Sequence, residues 1–189
     1  MTWTRLGEAW IVSGLRPGVA GGVAKDPPPG VAEAWACGES VGIVLREGVS
    51  PASVVFPAAP PAAVREHVIT VTYDGPDLSE VANLVGLSAD EVVARHLGGE
   101  YTCAVVGFCP GFGYLDGLDE RLQVPRLSSP RSLVPAGSVA IAGVRTAIYP
   151  LARPGGWRII GRTDLPMVDV GVGFCRLHPG DRVRFVRAD

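Results

Sequence analysis

Hydrophobic and polar positions alternate most clearly from His67 onward, where HVITVTY carries the two-residue period of a strand. The period then changes. DLSEVANLVG and SADEVVARHLGG both open on capping-box spacings, Asp77 with Glu80 and Ser88 with Glu91, which predict two helix starts. Val81, Leu84 and Val85 fall on one face of the first helix, Val92, Val93 and Leu97 on one face of the second, and Gly98 is placed to end it. TCAVVGF returns to a strand. Beyond Val134 the chain runs through SVAIAG, RTAIYPL, WRIIGR, LPMVDV and DRVRFVR, several of them divided by turn signals such as RPGG and HPGD. Short strands at this spacing predict an antiparallel barrel or sandwich rather than a parallel sheet with crossover helices. The fold class is therefore α+β, mainly β, with a barrel-like C-terminal domain over 66–189 that carries two small helices.

Residues 1–65 show a weaker pattern, rich in Ala, Gly, Pro and Val. VGIVL (Val41–Leu45) and SVVF (Ser53–Phe56) read as strands, and GVAGG, KDPPPG and PAAPPAAV interrupt the chain too often for long helices. This is the pattern of a small, loop-rich N-terminal domain, with the proline-rich stretch 57–61 as a hinge or linker.

Composition narrows the function classes. The chain has 189 residues, 47% hydrophobic and 19% charged, with a net charge of −2, so neither a basic nucleic-acid surface nor a disordered charged tail is expected. Its start lacks a basic leader with an apolar run, and no stretch approaches the ~18 apolar residues of a membrane span. A cytoplasmic protein is expected. Cys37, Cys103, Cys109 and Cys175 lack CxxC spacing and read as reduced, mostly buried thiols. His67, His96 and His178 have no metal-ligand spacing, and His96 reads as a cap at a helix C-terminus. Of 17 basic residues only Lys25 is lysine, beside PPPG. That leaves no phosphate-loop lysine, Schiff-base lysine or biotin-carrier lysine, and HExxH, GxSxG and a helix-opening GxGxxG are missing as well.

What remains is GFCPGFGYLDGLDER (Gly107–Arg121) and the VPRLSSPRSLVPAG that follows. Glycines and prolines recur among aromatics, acids and arginines, a composition that fits a slack loop or a backbone shaped around a ligand. Asp116, Asp119 and Glu120 lie near Arg121, Arg126 and Arg131, and read equally as a solvated loop or as part of a site. In PRLSSPR, Arg126 and Arg131 flank Ser128 and Ser129; it is either a surface loop or a grip for a carboxylate or phosphate. Ser138 offers a hydroxyl donor and Arg162, beside Thr163, could face a cavity. Trp157 reads as core, and Tyr149 is undecided.

GFCPGFGYLDGLDERL, VPRLSSPRSLVPAGSVAIAG, IYPLARPGGWRIIGRT and HPGDRVRF, in this order, resemble the 5-oxoprolinase B-subunit family, also called allophanate hydrolase subunit 1, which includes a bacterial inhibitor of a sporulation histidine kinase. YDGPDLSEVA and GLSADEVVARH fit as well, so the match runs from about His67 to Arg187. The resemblance implies a cyclophilin-like β-barrel and a small α/β N-terminal domain. It implies partnership with the homologous C subunit and the hydrolytic A subunit in ATP-dependent opening of 5-oxoproline to glutamate. ATP would be co-substrate together with magnesium, with no biotin on this chain and no activity alone. On this reading Arg126, Arg131 and Ser138 serve catalysis, and Pro110, Gly111, Phe112, Gly113, Tyr114, Ser128, Ser129, Tyr149, Arg162 and Thr163 line the substrate or nucleotide site. Gly113 stands where the family usually has proline, which should loosen the bend. The alternatives within the same resemblance are a kinase-docking regulatory module and an allophanate- or urea-degrading carboxyltransferase-type subunit.

Overall fold

A computed structural model of the chain describes residues 1–15, 19–37, 40–56, 64–171 and 173–188, with the side chains of Ala36 and Cys37 left out. These residues form two compact units, Met1–Val64 and Arg65–Asp189. The stretch 57–61, expected as a hinge, lies outside the described residues.

The N-terminal unit is a four-stranded antiparallel sheet made of β1 (Thr2–Leu6), β2 (Ala9–Ser13), β3 (Val31–Cys37) and β4 (Ser40–Leu45), in the order β1-β2-β4-β3. Helix α1 (Val19–Lys25) packs on β3 and β4. Val12, Val23, Val41 and Ile43 fill the space between them with no exposed surface. The expected VGIVL strand is β4. SVVF is not a strand: Pro51–Ser53 form one 3-10 turn capped by the Ser50 hydroxyl, which accepts from the Ala52 N–H, and Val54 tucks into the core. Proline at the first position of that turn holds φ in the helical range and offers no N–H to a strand ladder.

The C-terminal unit is built on seven strands ordered β12-β9-β10-β7-β6-β15-β5. These are β5 (Glu66–Val71), β6 (Tyr101–Val106), β7 (Gly113–Asp116), β9 (Ser138–Ala142), β10 (Arg145–Ile148), β12 (Arg158–Arg162) and β15 (Arg182–Arg187). Short pairs β8 (Arg131–Val134) with β11 (Arg153–Gly155) and β13 (Val168–Asp169) with β14 (Phe174–Cys175) flank it. Pairing is antiparallel except that β5 runs parallel to β15. The sheet nearly closes: past β5, Thr72 exchanges backbone hydrogen bonds of 2.8 Å with Arg162 on β12, and Gly75 and Asp77 donate to Ile160 and Ile159. Gly75 makes that approach possible, because a Cβ there would lie 2.3 Å from the Ile160 carbonyl carbon. The unit is thus mainly β and barrel-like.

Helices α2 (Leu78–Val85) and α3 (Ala89–Gly98) lie against β12 and β15. Val81, Val92, Ile69, Leu115 and Phe185 share one core; a fully buried side chain of this size contributes about 1.5–3 kcal/mol. On α2 the buried pair is Val81 and Ala82, whereas Leu84, expected inside, is half exposed. Among the described residues no helix is long and apolar enough to cross a membrane.

Candidate functional site

The stretch from Gly107 to Arg121 is ordered by its own backbone. Gly107 donates to the Phe112 carbonyl (3.0 Å) and Phe112 to the Cys109 carbonyl (3.1 Å), closing a loop at the end of the β6–β7 hairpin. This turns Phe112 inward, where it is 1% exposed. Phe108, Tyr114, Tyr149 and Trp157 surround it edge-on, at centroid distances of 5.3, 4.9, 5.2 and 5.7 Å. Aromatic pairs favour this geometry because a positive ring edge meets a negative face. Gly155 completes the cluster: a Cβ there would sit 2.2 Å from the Tyr149 hydroxyl.

Two hollows open beside these rings. One, of about 250 Å³, is lined by Phe108, Phe112, Tyr114, Tyr149 and Trp157 with Arg126, Pro130 and residues 154–156 at the end of β11. The other, of about 310 Å³, lies between Pro125, Arg126, the Ala142–Arg145 hairpin, Tyr114 and Trp157. Tyr114, Arg126 and Trp157 border both. Arg126 holds its guanidinium 5.9 Å from the Trp157 ring and has no carboxylate partner among the described residues. Arg145, in the second hollow, is balanced by Asp116 (Nε to Oδ1, 2.6 Å). The first hollow therefore offers an apolar ring-lined wall and one uncompensated cation at its rim, which suits a small anion with an apolar body. A larger hollow of about 490 Å³ in the N-terminal unit, between Pro27–Pro29, Arg46 and Val55, is bordered by prolines and has no comparable cluster of aromatic and charged groups.

Of the residues expected from sequence, Phe112, Tyr114, Arg126 and Tyr149 come together here. Pro110 is exposed beside the loop, and Gly111 is buried against Met167, Val168 and Pro150. Gly113 is not a loose bend: it opens β7, pairs with Val106, and is buried against Leu177 and Cys103. Ser128 and Ser129 are exposed and outside both linings. Arg131 donates from Nη2 to Asp77 Oδ1 at 2.6 Å, while its Nη1 is buried without a partner. Ser138 is buried on β9, opposite Arg162 of β12. Arg162 donates to Asp74 Oδ2 (2.9 Å) on an exposed edge, and Thr163 accepts from the Leu165 N–H. Two acids of the loop are likewise engaged, Asp116 with Arg145 and Asp119 with Arg95 and the Arg121 N–H; those last contacts hold the Asp119 carboxyl below its usual range, the backbone bond foremost.

Trp157, Phe108 and Arg145 line the hollows without having been expected to. RPGG, expected as a turn, is strand β11 over Arg153–Gly155, and Trp157 just beyond it is buried in the core as read from sequence while its ring also borders both hollows. For Phe108 the usable signal was an aromatic inside a glycine- and proline-rich loop.

The buried groups nearby are inert or structural. Burial raises the Cys103 thiol to about 12 and raises Cys109 too, with Arg153 acting against the latter, so neither is a nucleophile at neutral pH. Burial also raises the Tyr149 phenol, opposed by the Trp157 backbone and then Arg126. His96, read as a cap, lies in the last turn of α3 but is held neutral by its surroundings rather than set at the helix end as a charge. It is fully buried on α3, between Tyr73 (Nδ1 to Oη, 2.7 Å) and Thr146 (Nε2 to Oγ1, 2.9 Å).

The family pattern described as carboxyltransferase domain, subdomain C and D, matches residues 47–172. The chain is similar to the 5-oxoprolinase B subunit of Bacillus subtilis, 48% identical over 60% of this chain and 48% of that one. It is also similar to the 5-oxoprolinase B subunit of Escherichia coli O157:H7, 52% identical over 59% of this chain and 52% of that one. It thus spans about half the length of these relatives. The crystal structure of TTHA0988 superposes with a TM-score of 0.82 at 34% identity, over 96% of this chain and 40% of that chain. The Kluyveromyces lactis urea carboxylase structure shares the fold, with a TM-score of 0.66 at 16% identity over 99% of this chain and 22% of that chain.

Proposed function

The chain belongs to the family of the carboxyltransferase domain, subdomain C and D. From that premise we propose that it works as one component of a 5-oxoprolinase-like complex, and that its ring-lined hollow holds the lactam substrate. The observation that carries this reading is the junction of Arg126 with Phe112, Tyr114, Tyr149 and Trp157, all within residues 47–172 that match the family pattern, in a chain similar to proteins named as 5-oxoprolinase B subunits. 5-Oxoproline is a small ring bearing a carboxylate. The rings of the hollow match its apolar body, and the Arg126 guanidinium matches the carboxylate. A hollow of about 250 Å³ falls below the ~300 Å³ lower end for drug-sized ligands, as a metabolite requires.

An unactivated lactam is a poor electrophile. In the proposed reaction ATP transfers its γ-phosphoryl group to the lactam oxygen and ADP leaves. One water then opens the C–N bond to give an acyl phosphate, and a second releases phosphate and glutamate. Magnesium bound with ATP is held mainly by the phosphates and one or two carboxylates; in this reading ATP and its magnesium belong to the complex assembled with the hydrolytic and homologous partner subunits, and this chain binds and orients the ring.

The test is reconstitution. Glutamate release from 5-oxoproline should require this chain, both of those partners, and ATP. Arg126→Gln should raise the KM for 5-oxoproline about 10- to 100-fold, the loss of one charge-assisted contact. An unchanged KM removes Arg126 from the site, and release without this chain removes the whole assignment. The family description favours one second reading, transfer of a carboxyl group to a small amide. Transfer of labelled carboxyl from a carboxylated biotin carrier to urea, without glutamate release, would select it.

A further inference from the structure

Phe108 is the one non-glycine residue among those described with a positive φ, 68°. The Cys109 N–H donates to the Gly107 carbonyl at 2.8 Å, so Phe108 is the central residue of a γ-turn of the rare, strained hand. An ordinary side chain is disfavoured there, and glycine would relieve the strain. The strain does not serve the core, since the ring is 60% exposed. A lone exposed phenylalanine needs no explanation, but this one is held in a costly conformation, packs edge-on against Phe112 at 5.3 Å, and lines the hollow with Trp157 and Arg126. Strain that adds no core packing and aims a side chain at a hollow is a mark of a functional position.

We propose that Phe108 is a specificity-determining residue, which covers the apolar face of a cyclic carboxylate whose charge is held by Arg126. The assignment rests on the site proposed above, but not on which cyclic acid fills it. An acyclic acid such as glutamate leaves the Phe108 face uncovered and is excluded.

The experiment follows the indole N–H resonance of Trp157 in the full chain, identified by its loss in Trp157→Phe, during titration with 5-oxoproline, benzoate and glutamate. The cyclic acids are expected to shift it and glutamate is not. Phe108→Ala should weaken cyclic-acid binding about tenfold, and Phe108→Tyr should bring it back to within about twofold. Phe108→Gly should weaken binding while raising the thermal midpoint, opposite signs that a merely structural role would not produce. Benzoate binding that depends on Phe108, with no response to 5-oxoproline, supports the role of Phe108 and ends the 5-oxoproline reading. Unaltered 5-oxoproline binding in Phe108→Ala does the reverse. No response to either cyclic acid, or a lowered thermal midpoint in Phe108→Gly, overturns the proposal.

Discussion

Burial without a counter-charge pulls the His96 pKa down to about 3, and the hydrogen bonds around it explain how a neutral ring is accommodated. The Thr146 hydroxyl donates to the Ala140 carbonyl (3.1 Å), so its oxygen accepts from His96 Nε2–H, and Nδ1 accepts from the Tyr73 hydroxyl. Every polar atom of the ring is satisfied in the neutral state, and protonation would put two donors face to face at Tyr73. In the unfolded chain His96 takes a proton near its ordinary pKa of 6.5, whereas the folded protein refuses it down to about 3. Its stabilising share is therefore complete above pH 6.5 and is lost as the pH falls through that window, at about 1.4 kcal/mol per pH unit. Urea unfolding at pH 7, 6, 5 and 4 should show a shallower decline in His96→Gln than in the parent chain, and parallel declines would contradict the assignment. From sequence the same histidine reads as a cap at a helix C-terminus, and it does lie in the last turn of α3. Its position on α3 was legible, but its burial was set by Tyr73, Tyr101 and Phe185, residues brought together only by the tertiary fold.

The same division between local and distant causes separates the two helix starts. Ser88 and Glu91 form the capping box their spacing announces, with Ser88 Oγ accepting from the Glu91 N–H and Glu91 Oε2 from the Ser88 N–H. Asp77 and Glu80 have that spacing too, yet Asp77 makes no side-chain cap. Its carboxylate is taken from across the fold, by Arg131 at 2.6 Å and the Ile159 N–H at 2.7 Å, while its own N–H donates to the Ile159 carbonyl. Asp77 therefore locks β12, Arg131 and the start of α2 together. Asp77→Ala would leave the half-buried Arg131 head without its counter-charge and the buried Ile159 N–H without an acceptor, costing about 3 kcal/mol. Ser88→Ala removes only an exposed cap, about 1 kcal/mol. Chemical unfolding of both variants checks that order, and equal losses would mean that Asp77 is only a cap. Strands were legible where alternation was strong, as in β5 and β15, and where a short apolar run stood between turn signals, as in β9 and β12. The β1–β2 hairpin, turning at Gly7–Glu8 without an Asn-Gly or Asp-Gly signal, was not, and neither was β7 inside a loop rich in glycine.

At the scale of the whole molecule, periodicity announces strands but not their partners, and the parallel pairing of β5 with β15, first and last in the C-terminal unit, could not be read from the chain. Asp181 explains how that distant pair is fastened. Buried to 3% exposure, it accepts from the His178 N–H (2.9 Å) and from the Arg65 N–H (3.3 Å), and it contacts His67 Nε2 at 2.9 Å; the Arg182 N–H beside it donates to the Arg65 carbonyl. The unit that holds the hollow thus begins, chemically, at Arg65, and its first residues complete a buried carboxylate more than a hundred positions away. Two fragments test this. Residues 65–189 should unfold in one cooperative transition and keep the Trp157 indole resonance of the full chain, since both cores of that unit lie within it. Residues 69–189 lack Arg65 and His67, leave Asp181 with fewer partners and strip half the β5 ladder, a loss of about 3 kcal/mol or more from a domain whose total stability is on the order of 5–15 kcal/mol. A shorter fragment as stable as the longer one would show that the barrel does not depend on this closure, whereas a failure of 65–189 to fold would make the N-terminal unit part of the barrel's stability rather than a neighbour to it.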